Sequence, residues 1–190
     1  CVGTNYYNGH RVADLGYDHF SNPIGSTATV ISSDGWLIYG RRSQRVVYHA
    51  GYLHTFGGAL EKADLRPDGQ IDVFAAITRE LSEELSLEPH EIESIICLGI
   101  IHDREIWQPE LLFDVHVRLD AGTIKARLTG EQALEEHQAI ETLLDTPDAV
   151  VPFIRQAVPI APVCVGAICL HGLRRWGQEW YKETRKSLGI

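Results

Sequence analysis

Three glutamates, Glu80, Glu83 and Glu84, stand close together inside the run FAAITRELSEELSL, from Phe74 to Leu87. Phe74, Ile77, Leu81 and Leu85 recur at helical spacing, which predicts an amphipathic helix with that stripe turned inward. Residues three and four apart are neighbours on a helix surface, so the three carboxylates converge. A cation among them relieves their repulsion, and clustered hard oxygen donors suit Mg²⁺ or Mn²⁺. Arg79 can pair with Glu83 one turn on, but one guanidinium cannot neutralise three carboxylates. A solvated acidic face is the competing reading of the same residues.

What stands upstream favours the cation. Gly57 and Gly58 let backbone approach a metal or ligand with no Cβ in the way, and Glu61 is a further oxygen donor. Asp72 is placed to cap the helix N-terminus, and Pro89 falls just past its end. Arg41, Arg42 and Arg45 crowd the end of a preceding strand, where they suit a phosphate clamp. Downstream, a polar and aromatic loop with Arg104, Glu105, Trp107 and Glu110 joins two apolar runs and is a natural place for substrate contacts.

The remaining pattern describes the scaffold. Residues 1–25 are rich in Asn, Gly, Tyr and His and read as an irregular arm, with Thr4, Asn5 and Tyr6 either touching a ligand or packing the arm. STATVISS and WLIYGRR are strands joined by a hairpin at Asp34-Gly35, and VVYHAGYLHTF reads as another extended segment. IICLGIIHD, ELLFDVHVRL and QAIETLL are further strands, and a weak helix or turn falls at 123–130. Helices are expected over 146–157 and 163–186, with Trp176, Trp180 and Tyr181 in the core. Strands mixed with helices predict an α/β fold, a mixed sheet with helices on both faces, built as one domain over 26–190.

Composition narrows the function. A net charge of -9 and a pI near 5.4 leave no broad basic face for nucleic acid. No apolar run reaches membrane length and no leader pattern is seen. Cys1, Cys97, Cys164 and Cys169 form no CxxC pair and read as reduced core residues of a cytoplasmic protein. Oligomeric state is not legible.

The stretch Arg79-Glu80-Leu81-Ser82-Glu83-Glu84-Leu85-Ser86-Leu87 resembles the acidic half of the Nudix box, REUxEExGU with U aliphatic, and Gly57-Gly58 resembles the glycines that open it. Ser86 stands for the usual glycine, Ile71 occupies the register of an upstream glutamate with Asp72 one position along, and the intervening loop is long. With GTN, NPIG, RRSQ, LGI and Glu136-His137 elsewhere, the chain is similar to an atypical Nudix branch that cleaves UDP-glucose and UDP-galactose.

The resemblance implies a Nudix-type α/β/α sandwich and Mg²⁺-dependent hydrolysis of a nucleoside diphosphate sugar to UMP and a sugar 1-phosphate. It further implies Glu80, Glu83 and Glu84 as metal ligands, joined by the carbonyl near Gly58, with Arg79 orienting Glu83. The proton would go to a carboxylate near the metal or to the Glu135-Glu136-His137 stretch, with Glu136 ahead of His137. Arg41, Arg42 and Arg45 would bind the diphosphate or nucleotide, and Tyr48, Phe56 or Trp107 would stack on uracil. ADP-ribose or another nucleoside diphosphate is the alternative substrate, and a Nudix-fold module that binds without hydrolysing is the alternative class.

Overall fold

The computed structural model describes residues 5–7, 9–127 and 136–190. A short arm comes first: β1 (Tyr6–Tyr7) and β2 (His10–Arg11) pair antiparallel, followed by a one-turn α1 (Val12–Leu15). The main sheet has seven strands, β3 (Gly25–Ile31), β4 (Trp36–Arg42), β5 (Leu53–His54), β6 (Phe56–Ala59), β7 (Ile92–Asp103), β8 (Gln108–Val117) and β9 (His137–Leu144). Its helices are α2 (Val73–Leu85), α3 (Ala121–Arg127), α4 (Pro147–Gln156) and α5 (Pro162–Leu188).

The sheet is mixed: β3 runs parallel to β8 and antiparallel to β4 and β6. Successive side chains on a strand point to opposite faces, and both faces are covered. Val30, Ile38, Phe113 and Val115 meet Ile77, Leu81 and Leu85 of α2 and Ile124 of α3. Ile31, Leu37, Tyr39 and Leu112 meet Val150 and Ile154 of α4 and Cys164 and Ile168 of α5. This two-sided burial is why β3 reads as a continuous apolar and small-residue run. The result is the expected α/β/α sandwich.

One distortion makes room for a site. Strands β3 and β4 pair near the Asp34-Gly35 turn, at Val30 with Ile38 and Ile31 with Leu37, and then diverge. Into the wedge come β6, laid on the first half of β3, and β5, laid on the end of β4. The glycine pair is therefore strand rather than loop: Gly57 lies opposite Thr27 and Gly58 opposite Ser26.

Several expectations need correction. Of VVYHAGYLHTF, residues before Leu53 form turns, with His49 at φ 54° and Gly51 at φ 75°, because the chain must reverse to pair with β4. Phe74 is 46 % exposed and packs edge-on against Phe113, while Ile77, Leu81 and Leu85 carry the buried stripe. Cys97 is exposed, whereas Cys164 and Cys169 are buried. Gly177, at φ 89°, breaks α5 into two helices. Trp180 packs over Gly172 and lies 4.6 Å from Trp176, so both rings close the α5 side of the core. No helix among the described residues is long and apolar enough to cross a membrane.

Candidate active site

Helix α2 is held at both ends. Asp72 Oδ1 accepts from the N–H groups of Phe74 and Ala75, satisfying two N-terminal donors. Ser86 ends the helix in the left-handed conformation, at φ 53°, a role more often filled by glycine. Between these caps Glu80 and Glu84 turn into the wedge and are buried, at 8 % and 5 % exposure, while Glu83 stays exposed.

Each buried carboxylate meets the glycine strand. The Gly57 N–H donates to Glu84 Oε2 at 2.8 Å. A Cβ on Gly58 would lie 2.6 Å from both Glu80 oxygens, so only glycine lets Glu80 sit against this backbone. On the other side of Glu84 lie Glu136 and His137; the three offer ligand atoms within 4.8 Å of one another. His137 Nε2 is 3.5 Å from Glu84 Oε1, and among the described residues neither ring nitrogen has a hydrogen-bond partner. The ring fits over Gly40, where a Cβ would collide with it, and packs edge-on against Phe56. A bulge in β9, between its pairings with Arg41 and Arg42, aims His137 this way.

Burial dominates the electrostatics of the cluster. Burial raises Glu84 well above the ordinary carboxylate range, and its hydrogen bond with Glu136 and the charges of Glu136 and Glu80 push the same way. Burial also raises Glu80, against the pull of Arg79. His137 is pushed down to about 3, by burial first and then by Arg42, and is neutral. Neutral imidazole, converging carboxylates and close backbone together fit a divalent cation.

Arg79 reaches further than Glu83. Its Nη1 donates to Glu80 Oε1 at 2.8 Å and lies 3.6 Å from Glu83 Oε2, while Nε and Nη2 donate to the two oxygens of Asp64 at 3.3 and 3.2 Å. Asp64 is buried and was missed in sequence. Residues 65–71 form a closed excursion in which Leu65 pairs with Ile71 and the Asp72 N–H donates to the Asp64 carbonyl. Removing that excursion would bring Asp64 beside Asp72 at the start of α2, and this is the signal that could have found it. Ile71 is exposed on the loop, Glu61 is exposed, and Asp72 is occupied as the cap.

The other expected residues divide. Arg42 is buried beside the cluster, with its guanidinium 5.2 Å from the centre of the Tyr48 ring. Together with Ser26, Thr27, His54, Gly57, Gly58, Gln108 and Glu110 they line a cavity of about 50 Å³ in the wedge. A recess beside it is lined by Arg11, Val47, Tyr48, His49, Glu105 and Ile106. Arg41, one residue along β4, points to the opposite face, where it bonds Glu141 at 2.8 Å and the carbonyls of Gly51, Ala157 and Pro159. It ties sheet to helix and is not brought to the site. Phe56 is fully buried in the core and offers no face for stacking.

Arg45 is exposed. Trp107, at φ 55°, lies edge-on to Tyr17 and His102. Asn5 is fully buried, donates to the Trp107 carbonyl and accepts from the Asn22 N–H, so it packs the arm. Thr4 and Glu135 lie outside the described residues.

No family model matches the chain. A curated relative, mouse "Uridine diphosphate glucose pyrophosphatase NUDT22", is 26% identical over 94 residues, 43% of this chain and 30% of the relative. The aligned stretch thus spans under a third of that protein. Among solved structures, the chain is similar to DR0079 from Deinococcus radiodurans (19% identity, TM-score 0.53, 89% of this chain and 96% of that one). It is likewise similar to a mutT/nudix family protein from Listeria innocua (17%, 0.54, 83% and 94%). The NUDIX domain of Shewanella oneidensis NrtR, complexed with ADP ribose, matches at 13% and 0.57 over 90% and 99%. The chain has the Nudix fold, and the resemblance first carried by Gly57-Gly58 and the glutamates of α2 holds across the whole architecture.

Proposed function

We propose that this protein hydrolyses the diphosphate of a nucleoside diphosphate sugar of the UDP-glucose type, using a divalent cation, Mg²⁺ or Mn²⁺. The observation that carries the reading is the convergence of Glu80 and Glu84 on a glycine backbone, with Glu136 beside Glu84 and a cavity walled by Arg42 alongside. Glu80 and Glu84, with Glu83 at the exposed edge and the Gly58 carbonyl, would hold the cation. A cation bound there supplies Lewis acidity to the phosphoryl oxygens and a more acidic water.

The chain's own residues do the positioning. Asp64 and Arg79 form a relay that fixes Glu80, and the Gly57 N–H fixes Glu84. Glu136 is the residue we assign to take the proton from the attacking water: it is exposed, so water reaches it, whereas His137 is closed off. Arg42 offers permanent positive charge to the bound substrate. The curated relative's name supports UDP-glucose. The ADP ribose complex of the NrtR domain supports a second reading, in which the diphosphate is shared and the base and sugar differ. Free thiols at Cys97, Cys164 and Cys169 suit a reducing compartment, so we place the reaction in the cytoplasm.

The test is release of UMP from UDP-glucose with and without Mg²⁺, then from a panel that includes UDP-galactose and ADP-ribose. We expect metal-dependent release, fastest from a UDP-sugar. Faster cleavage of ADP-ribose would shift the substrate, and binding without any cleavage would make the protein a nucleotide-binding module. In Glu136→Gln we expect kcat to fall about a hundredfold with KM little changed.

A further inference from the structure

Two residues that line the cavity in the wedge each carry a buried polar atom with no partner among the described residues, Gln108 Oε1 and Arg42 Nε. Gln108 is 4 % exposed and Arg42 9 %. Buried polar atoms are nearly always paired, because leaving one unpaired forfeits its hydration. Here one is an acceptor and the other a donor. Gln108 Nε2 donates to Glu110 Oε1 at 2.6 Å, which turns Oε1 away from Glu110. Glu110 is itself buried beneath Gly25, where any Cβ would overlap its carboxyl group, so this pair cannot swing freely.

The lining selects by chemistry. A cation is disfavoured by Arg42. A phosphoryl oxygen could accept from Arg42 but has no proton to offer Gln108, and would leave that acceptor buried and unpaired. A hydroxyl offers both a proton and lone pairs. About 50 Å³ has room for a hydroxyl-bearing edge and is too small for a nucleobase, given that one water takes up about 30 Å³ of liquid.

We propose that this cavity is a sugar-reading subsite, in which Gln108 Oε1 accepts from, and Arg42 Nε–H donates to, hydroxyls on one sugar edge of the substrate. It rests on the hydrolase reading above and goes beyond it by naming what is read and by which atoms. Gln108 then makes the enzyme discriminate between a sugar and its deoxy analogue, because the analogue leaves the acceptor unpaired. The hydroxyl comes from the ribose or from the hexose, and the experiment separates the two.

Wild type, Gln108→Leu and Gln108→Glu are assayed with Mg²⁺ on UDP-glucose, on its analogues lacking single hexose hydroxyls, and on 2′-deoxyuridine diphosphate glucose. Both kcat/KM and equilibrium binding are measured. On UDP-glucose, Gln108→Leu should lose roughly 30-fold. One analogue should cost wild type a similar factor and cost Gln108→Leu nothing further, and its identity names the ribose or the hexose. Gln108→Glu keeps an acceptor and should retain much of the discrimination, which guards against a folding defect in the leucine variant.

An equal loss by Gln108→Leu on every analogue, in both readouts, overturns the subsite while leaving hydrolysis standing. Absence of turnover in wild type with the same coupling seen in binding overturns hydrolysis and leaves the subsite standing. Wild type that neither cleaves nor binds any of the compounds overturns both.

Discussion

The Gly57 main-chain N–H donates to Glu84 Oε2 at 2.8 Å, joining the strand that fills the wedge to the helix that carries the acids. A carboxylate buried beside Glu80 and Glu136 is costly, and this bond is the main favourable contact it has without a cation. Glu84→Gln should therefore fold as well as wild type or better, since an amide oxygen can still accept from Gly57. It should lose more than a thousandfold in turnover and lose the rise in Tm on adding Mg²⁺. Turnover within tenfold of wild type, with that rise intact, would remove Glu84 from the metal site.

The two glycines should fail differently. At Gly57, φ is 146° and a Cβ would lie 2.1 Å from the Ser26 carbonyl oxygen, so alanine forces backbone apart and should cost about 3 kcal/mol of stability. At Gly58 the obstacle is the Glu80 carboxylate, which can rotate away. Gly58→Ala should keep nearly wild-type Tm and lose at least a hundredfold in activity. Thermal melts beside kinetics on the two variants decide this; equal destabilisation would show that Glu80 cannot move.

Arg42 lies under Tyr48 at the cavity wall and carries charge toward bound substrate rather than toward the reacting water. Arg42→Ala should raise KM at least tenfold and change kcat by much less, as loss of uniform binding does. An unchanged KM would take Arg42 out of the site.

On the far face of the sheet, His171 is 1 % exposed, with Nδ1 2.9 Å from Asp114 and Nε2 3.0 Å from Asp145. Burial alone would lower its pKa, but the hydrogen bonds and charges of the two aspartates outweigh it and push it up to about 9. A folded pKa raised above the unfolded value near 6.5 adds stability that is complete below 6.5 and is lost as pH rises through 9. The full contribution is on the order of 3 kcal/mol. The Tm difference between wild type and His171→Gln should therefore shrink from pH 6.5 to 9.5. A difference independent of pH would show that His171 is not charged in the fold.

The sequence by itself determined the parts that depend on local spacing. The helical period of Ile77, Leu81 and Leu85 placed α2, the turn chemistry of Asp34-Gly35 placed the hairpin, and Asp72 placed the cap. The i, i+4 spacing put Glu80 and Glu84 on one buried face, because neighbours on a helix are set by its pitch, while Glu83 is turned out to solvent. Tertiary structure decided what depends on where distant segments meet. Alternation along β4 sends Arg42 to the site and Arg41 to the opposite face, and which face mattered was settled by the sheet's two layers. The closed loop of residues 65–71 brings Asp64 to Arg79, and the divergence of β3 from β4 brings Gln108 and Glu110 beside Gly58. Phe56 reads in sequence as a ring that could stack on uracil; burial among strands makes it core. Helix neighbours are a few residues apart and can be counted, whereas partners tens of residues apart are chosen by packing, and composition holds no record of that choice.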